Sequence, residues 1–413
     1  MKKVKSYLLG WLKWTMLALL CGGIIGPIGS IFAKTLSWGA DLRVAYPWII
    51  WLLPVGGLVI VFLYRVTKLP GGGSTNSVFM AVRDNEIMKF VTAPLIFVST
   101  VITQTLGGSA GREGAALQLG GSITGKIGAL LKMEEGDCRI MTMCGMSAAF
   151  AAVFGTPLAA TIFSLEVTSV GIMYYAAMVP CLISACIGSW ISSAIFGIRP
   201  ESFTLLQTMD FAPIAMIRIM LLAALVAVLS IIVCQIFHGA HHLYEKYIVN
   251  PYVRVVVGGL LIAVLTTLLG TMDYNGPGSG LIERAMEGGN IAPYAFVLKV
   301  LFTALTLGAG FKGGEIVPVF ATGATFGYVV APFLGIPSGF GAAIGMIGLF
   351  CGVTNCPVTS ILLAVEVFGG ESIPLFALAC AVSYMLSGYF GLYGEQKIMY
   401  SKLHMNYIDK KLG

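Results

Sequence analysis

Long apolar segments recur along the whole of this 413-residue chain, and they constrain its fold more than any other feature. Several reach the roughly 20 residues that cross a bilayer as an α-helix, whereas others end after about a dozen, interrupted by glycine or proline. The segments are Tyr7–Phe32, Pro47–Tyr64, Leu95–Leu106, Met173–Ile195, Ile217–Phe237, Val255–Leu269, Phe296–Leu307 and Leu375–Leu386. With 57% hydrophobic and 11% charged residues, the composition lies outside the range of soluble domains. The sequence therefore predicts a single all-α, multi-pass membrane domain.

Basic residues at the two ends indicate the orientation of the chain. These are Lys2, Lys3, Lys5, Lys397, Lys402, Lys410 and Lys411. By the positive-inside rule, both termini are expected on the cytoplasmic side of the cell membrane, with an even number of crossings. The first apolar segment resembles a signal peptide but has no small-residue cleavage site at the expected place, so we predict that it is a retained helix. The net charge of +6 is compatible with an anionic substrate, and the scattered basic residues predict no nucleic-acid partner.

Two stretches 200 residues apart resemble each other. Residues 156–171 read TPLAATIFSLEVTSVG, and residues 356–371 read CPVTSILLAVEVFGGE, with a proline and a glutamate aligned. Such repeats are typical of transporters in which broken helices from both halves meet at an ion site near the middle of the bilayer. We therefore predict two halves, 1–205 with the N-terminal helix and 206–413. The residues alone leave open whether the halves are parallel or inverted.

A second pair of glutamates lies in glycine-rich sequence, Glu113 in GSAGREG and Glu315 in GGEIVP, and the repeat aligns the two. Glycine lets backbone N–H groups approach a ligand closely, and a helix N-terminus attracts anions. A carboxylate at such a helix start competes with the anion until it is protonated, so we predict that Glu113 is a gate and Glu315 a second acid for proton transfer. The alternatives are a capping acid paired with Arg112 for Glu113, and an ion pair with Lys312 for Glu315.

Four motifs in order carry a resemblance to a known family. GREG followed by AALQLGG, at residues 111–121, resembles the signature of the CLC family of chloride channels and anion/proton antiporters. GGGSTNS at 71–77, GGEIVP at 313–318 and MYSKL at 399–403 resemble further family motifs. The resemblance implies an inverted-repeat homodimer with one pore in each subunit, and broken helices that meet at an anion site near the bilayer midplane.

The resemblance also implies roles for particular residues. Ser74 would coordinate the anion through its hydroxyl, with Gly73 as the alternative at this position. Tyr400 would coordinate the anion through its phenol and close the site from inside. Backbone N–H groups of Glu315 and Ile316 would line the site, and the glutamate of GREG would be the external gate.

Departures from the family pattern bear on substrate and coupling. Ala115 follows GREG where most members have proline, and Val167 stands where many antiporters have an internal proton-transfer glutamate. The acid Glu315 in GGEIVP resembles the motif of the fluoride-exporting branch of the family, although that branch has methionine where this chain has Ser74. We predict transmembrane anion transport as an antiporter gated by Glu113, with chloride slightly preferred. A fluoride/proton antiporter and a passive chloride channel are the alternatives.

The sequence gives weaker support to other functional classes. GGSITGKI at 120–127 ends in isoleucine where a phosphate-binding loop needs serine or threonine. His238, His241 and His242 resemble a metal cluster but end an apolar segment, which favours an interfacial helix end. Ser279 lies in a polar loop, so a serine nucleophile with a histidine base is not predicted. We expect no enzyme activity, metal, cofactor or C-terminal regulatory domain; the expected partners are an anion (chloride or fluoride), protons, the lipid bilayer and a second copy.

Overall fold

A computed structural model describes residues 2–69, 75–84 and 88–411, with side chains from residue 4 onward. Helices dominate this part of the chain: α1 (Lys2–Ala45), α2 (Leu53–Val66), α3 (Thr75–Arg83), α4 (Thr92–Thr105), α5 (Glu113–Leu130), α6 (Glu135–Phe154), α7 (Pro157–Glu166), α8 (Met178–Trp190), α9 (Pro213–Tyr247), α10 (Pro251–Leu269), α11 (Ser279–Met286), α12 (Ala295–Gly308), α13 (Ile316–Val330), α14 (Ser338–Thr354), α15 (Pro357–Phe368) and α16 (Ile373–Leu386). Three short strands are β1 (Ser169–Val170), β2 (Lys397–Tyr400) and β3 (Tyr407–Lys411).

The lengths of these helices confirm a multi-pass membrane protein. Within the described ranges, 7 helical segments are long and apolar enough to cross a bilayer, and shorter apolar helices of 10–17 residues lie between them. The 35 residues of α9 extend about 50 Å, beyond the roughly 30 Å of a hydrocarbon core, so this helix is tilted or continues past it. The predicted boundary at residue 205 falls between α8 and α9 and stays a prediction.

The pairing of α7 with α15 shows how the two halves are related. Glu166, the last residue of α7, accepts hydrogen bonds from the backbone N–H groups of Val358 (3.2 Å) and Thr359 (2.9 Å) at the start of α15. Glu366, near the end of α15, accepts two hydrogen bonds of 2.8 Å from the first turn of α7. Each carboxylate thus satisfies the free N–H groups of the other helix. Since each helix ends where the other begins, the helices are antiparallel and the halves are inverted.

Close glycine contacts hold equivalent helices together in both halves. A Cβ atom on Gly120 of α5 would collide with the backbone carbonyl of Gly145 in α6. In the second half, a Cβ atom on Gly323 of α13 would collide in the same way with Gly345 of α14. Small residues of this kind let membrane helices pack backbone to backbone. The tight packing fixes the position of α5 and α13, the helices that follow the two glycine-rich loops.

A small sheet joins the C-terminal part of the chain to the end of α7. β1 pairs in parallel with β2, with Ser169 opposite Lys397, and β2 pairs antiparallel with β3. The register of β2 against β3 is irregular between Ile398 and Tyr400. This sheet is the one described departure from the predicted all-α architecture, and it determines where Tyr400 lies.

Candidate anion site

The two glycine-rich loops meet through a short backbone pairing. The N–H of Gly111 donates to the carbonyl of Gly314 (2.6 Å), and the N–H of Gly314 donates to the carbonyl of Gly111 (2.8 Å). α5 then begins at Glu113 and α13 at Ile316, two residues after each glycine. The starts of two helices, one from each half, are therefore brought together. Both carry free N–H groups and the positive end of a helix dipole, which favour an anion.

This pairing corrects the alignment of the two halves by one residue. Arg112 and Glu315 are both N-cap residues, with similar backbone angles (φ −120° and −103°). They are therefore equivalent, and the equivalent of Glu113 is Ile316. The alignment of Glu113 with Glu315 was wrong, because two glutamates in glycine-rich loops match as letters although their positions relative to the helix start differ by one. The two acids occupy different places at the site.

Glu113 lies fully buried at the start of the helix from the other half, with 0% exposure. Its Oε1 accepts a hydrogen bond from the N–H of Val317 in α13 (3.2 Å), and its Oε2 has no hydrogen-bond partner among the described residues. Cβ atoms on Gly111 or Gly314 would occupy the space of the carboxylate, so glycine leaves the room that it needs. The carboxylate thus occupies a position where a helix N-terminus would hold an anion.

Arg112 forms its ion pair with another residue and not with its neighbour Glu113. Its guanidinium forms an ion pair with Glu201 and lies 5.0 Å from the ring centroid of Phe154. The alternative of a capping acid paired with Arg112 therefore does not describe Glu113. The buried carboxylate keeps its interaction with the helix N-terminus as its main stabilising contact.

Glu315 also lacks the ion pair with Lys312 that was the alternative to a role in proton transfer. Lys312 places its ammonium 4.8 Å from the ring centroid of Tyr64 and forms no ion pair with Glu315. Glu315 makes no ion pair with any other residue in the described ranges either. A partly exposed carboxylate without a counter-ion is free to exchange a proton with water.

A cavity of about 290 Å³ leads to this site. Its polar lining residues are Thr75, Asn76, Gln118, His238, His241, Lys312, Glu315 and Tyr393. Glu315 is partly exposed, whereas Glu113 is buried and does not line the cavity. The amide Oε1 of Gln118 has no hydrogen-bond partner in the described part of the chain, so it is available to water or a bound ligand. Of these two acids, Glu315 is therefore the one that contacts the cavity.

The structure brings Tyr393, and not Tyr400, to this cavity. Tyr400 ends β2 with 45% of its surface exposed, and its ring packs edge-on against Tyr407 at 5.7 Å. Tyr393 is buried, packs edge-on against Phe79 of α3 at 4.9 Å and lines the cavity. Sequence reasoning missed this residue. The available signal was its position between two glycines in GLYG, a turn that can bring a side chain back to the membrane domain.

The remaining predicted residues are placed as follows. Ser74 and Gly73 lie outside the described residues; Thr75, which directly follows them, lines the cavity at the start of α3. Ile316 is buried as the first residue of α13, beside the N–H that binds Glu113. Val167 is also buried, and its carbonyl accepts a hydrogen bond from a glutamine side chain (2.7 Å). No proton-carrying side chain stands at that position.

Lys299 holds the first of the two glycine-rich loops, and sequence reasoning missed it. Its fully buried ammonium donates to Ser109 Oγ (2.9 Å) and to the carbonyls of Tyr274 (3.1 Å) and Gly276 (2.7 Å). None of these acceptors is charged, so hydrogen bonds and not an ion pair hold the lysine beside the loop. A lone lysine inside an apolar segment was the signal, because a buried cation in a membrane helix is costly unless it has a function.

An inverted repeat with two helix N-termini around one buried carboxylate defines a class, the membrane transporters that bind anions at broken helices. Residues 56–388 match the family model described as voltage gated chloride channel. The chain belongs to this family.

Two curated relatives are similar to this chain over two thirds or more of their length. A chloride/fluoride channel protein of Pseudomonas syringae pv. tomato is 33% identical over 399 residues, which cover 95% of this chain and 88% of the relative. The H(+)/Cl(-) exchange transporter ClcA of Vibrio cholerae is 27% identical over 316 residues, 73% of this chain and 67% of the relative.

Solved structures confirm the CLC-type fold. A CLC-type fluoride/proton antiporter superposes with a TM-score of 0.89 at 31% identity, covering 94% of this chain and 98% of the other. A slow cyanobacterial Cl-/H+ antiporter superposes with a TM-score of 0.78 at 19% identity, covering 91% and 94%. The second likeness concerns the fold alone.

Proposed function

We propose that this protein exchanges a halide anion for protons across the membrane, with Glu113 as the gate. The observation that carries the proposal is the position of the Glu113 carboxylate, which is buried at the N-terminus of α13 with one oxygen unpartnered. Relatives described as exchange transporters and antiporters support proton coupling. The chain needs no cofactor for this function, and we propose no enzyme activity.

The mechanism follows from competition for the same N–H groups. While Glu113 is ionised, its carboxylate satisfies the N–H of Val317 and repels an incoming anion. Protonation removes the charge, weakens this hydrogen bond and lets the side chain leave, so that the anion takes its place. After the anion is released, the protonated Glu113 side chain gives up its proton on the other side of the membrane and returns to the helix N-terminus as a carboxylate. Because anion and carboxylate exclude each other, their movements are coupled.

Two anions are candidates, and different observations favour them. Chloride is favoured by Ser74, which departs from the methionine of the fluoride-exporting branch, and by the H(+)/Cl(-) exchange transporter relative. Fluoride is favoured by Glu315 as N-cap of α13 and by relatives whose descriptions name fluoride at 33% and 31% identity. A protonated carboxyl group at the N-cap would donate a hydrogen bond to fluoride, a small anion and a strong acceptor.

The test is flux into liposomes with anion and proton movement recorded together. An outward gradient of chloride or of fluoride should drive protons uphill, and the faster anion identifies the substrate. Glu113→Gln, which mimics the protonated acid, should abolish proton movement while anion movement continues, at an equal or higher rate. A Glu113→Gln protein that still moves protons against their gradient would contradict the role of Glu113. Fluoride flux at least about tenfold above chloride flux would reject chloride as the main substrate.

The same family membership supports a homodimer with both termini in the cytoplasm, as the terminal lysines predict. Two bleaching steps from singly labelled protein in membranes would support the dimer, and a single step would reject it. Lys5→Cys should react with a membrane-impermeant thiol reagent only after the cells are opened. Reaction in intact cells would reject the orientation.

A further inference from the structure

The cavity beside Glu315 carries two imidazole side chains that the exchange mechanism has not used. His238 and His241 lie three residues apart on α9, on the face that lines the cavity, whereas the adjacent His242 does not line it. α9 reaches this position because it packs against α12, α13, α14 and α16. His241 marks the mouth, with 58% of its side chain exposed and Glu245 at 3.4 Å, and His238 lies deeper and half-buried.

The hydrogen bond of His238 determines which nitrogen can take up a proton. Its Nε2 lies 3.2 Å from the carbonyl oxygen of Leu392. A carbonyl only accepts, so Nε2 carries the hydrogen and Nδ1 keeps its lone pair. The ring is thus held by one nitrogen while the other is free to bind and release a proton. Imidazole is the side chain that does so most readily at physiological pH.

The surroundings of His238 contain both signs of charge. The charged and titratable groups around the cavity and on the elements packed against α9 include His241, Glu245, Arg254, Lys312, Glu315, Tyr384, Tyr393 and Lys402, with Lys299, Tyr328, Cys351 and Cys380 on α12, α13, α14 and α16. Lys402 is occupied by Asn355, the carbonyl of Tyr384 and Ser387, and Glu245 lies near Arg254 at 3.6 Å. Glu315 is the acid of this set that has no ion-pair partner in the described ranges. A proton leaving His238 therefore has one unneutralised carboxylate to reach.

We infer that His238 carries protons between the water of the cavity and Glu315, which passes them to Glu113. The inference rests on the proposed exchange of anion for protons, and it supplies the proton path that Val167 cannot. Water in the cavity protonates Nδ1 of His238, giving imidazolium. The proton passes through cavity water to the carboxylate of Glu315, which restores the neutral ring. The cavity volume of about 290 Å³ accommodates several water molecules between the two side chains.

The test compares His238→Gln with His242→Gln in liposomes, with the pH varied from about 5.5 to 8 on the side where the cavity opens. His238→Gln should lower proton flux about tenfold at neutral pH and flatten its pH dependence. His242→Gln, about one turn further along α9 and outside the cavity lining, should match the wild type. Anion flux in the Glu113→Gln background should be the same with and without His238→Gln.

A second variant separates proton transfer from a structural role. His238→Ala leaves space at the cavity wall, and free imidazole added to the cavity side should restore proton flux at least about fivefold. Absence of rescue, or wild-type proton flux in the His238→Gln protein, would overturn the relay. The proposed function would still stand if the wild-type protein couples anion flux to proton flux. Wild-type protein that moves anion without protons would overturn both.

Discussion

α5 and α13 enter the site in the same way but present different side chains. Each helix begins two residues after a bridging glycine, and each packs against its neighbour through a glycine contact. At the N-cap and the first helical residue, α5 carries Arg112 and Glu113, whereas α13 carries Glu315 and Ile316. The shared backbone builds the anion site. The difference in side chains decides that the gate comes from the first half and the cavity-facing acid from the second.

The two pairs of glutamates in the halves also differ, and the difference separates structural from functional carboxylates. Glu166 and Glu366 are equivalent in the repeat, and each accepts two backbone hydrogen bonds from the other half. Glu113 and Glu315 are not equivalent; the first has an unpartnered oxygen and the second has no ion pair among the described residues. A buried acid whose oxygens are all bound stabilises a fold, whereas an acid with unused capacity can exchange protons.

The largest expected effect comes from changing the shared backbone at one half only. A Cβ atom on Gly111 would collide mainly with the carboxylate of Glu113, a flexible side chain, and not with backbone. Gly111→Ala should therefore displace the gate and reproduce Glu113→Gln, with proton coupling lost and anion flux retained in liposomes. The double variant should add nothing to either single variant. Gly111→Ala protein with wild-type coupling would show that the carboxylate does not need this space.

A smaller effect is expected at the structural carboxylates. Glu366→Gln replaces a charged acceptor of two N–H groups by an amide that accepts through one oxygen only. The loss should cost about 1–2 kcal/mol and lower the melting temperature by a few degrees, while the ratio of proton to anion flux stays at the wild-type value. A changed ratio would place Glu366 on the proton path and remove the distinction between the two kinds of acid.

The smallest effect concerns the C-terminal sheet, which has no counterpart in the first half. Hydrogen bonds and charge from Lys411 and Arg83 lower the pKa of Glu395, which lies outside the membrane spans. Because the pKa of Glu395 is lower in the folded state than in the unfolded state, ionised Glu395 stabilises the fold at pH values above the ordinary carboxyl pKa of about 4. This stabilisation is lost as the pH falls through the pKa of the folded state. Acidification below about pH 4, or Glu395→Gln at neutral pH, should therefore speed hydrogen exchange in β3. Exchange that is unchanged in both cases would contradict a role for this ion pair.

The fold was largely predictable because its signals are local. Apolar segments of two lengths predict full and broken helices, and the pair of sequences that end in Glu166 and Glu366 predicts a repeat. The repeat alone did not predict the inverted relation, which the resemblance to the CLC family implied, since it depends on which helix start each carboxylate reaches.

The site was predictable in part. Glu113 follows from glycines around an acid, whereas the one-residue shift that makes Arg112 equivalent to Glu315 depends on the bridge between Gly111 and Gly314. The tyrosine that lines the cavity is Tyr393 and not the predicted Tyr400, for a similar reason. The sheet directs Tyr400 outward, and only the return of the chain to α3 brings Tyr393 to the cavity.

The central claim is that Glu113 and Glu315 have different tasks, one as the gate and one as the acid through which protons reach it from the cavity. The most direct measurement is the ratio of proton to anion flux for Glu315→Gln in liposomes, with Glu366→Gln as the control for loss of a carboxylate. The ratio should fall about tenfold or more, with anion flux reduced far less than proton flux, because Glu113 can still be protonated from the other side of the membrane when the path through the cavity is lost. If proton and anion flux fall together at a constant ratio, Glu315 is a structural residue and the account is contradicted.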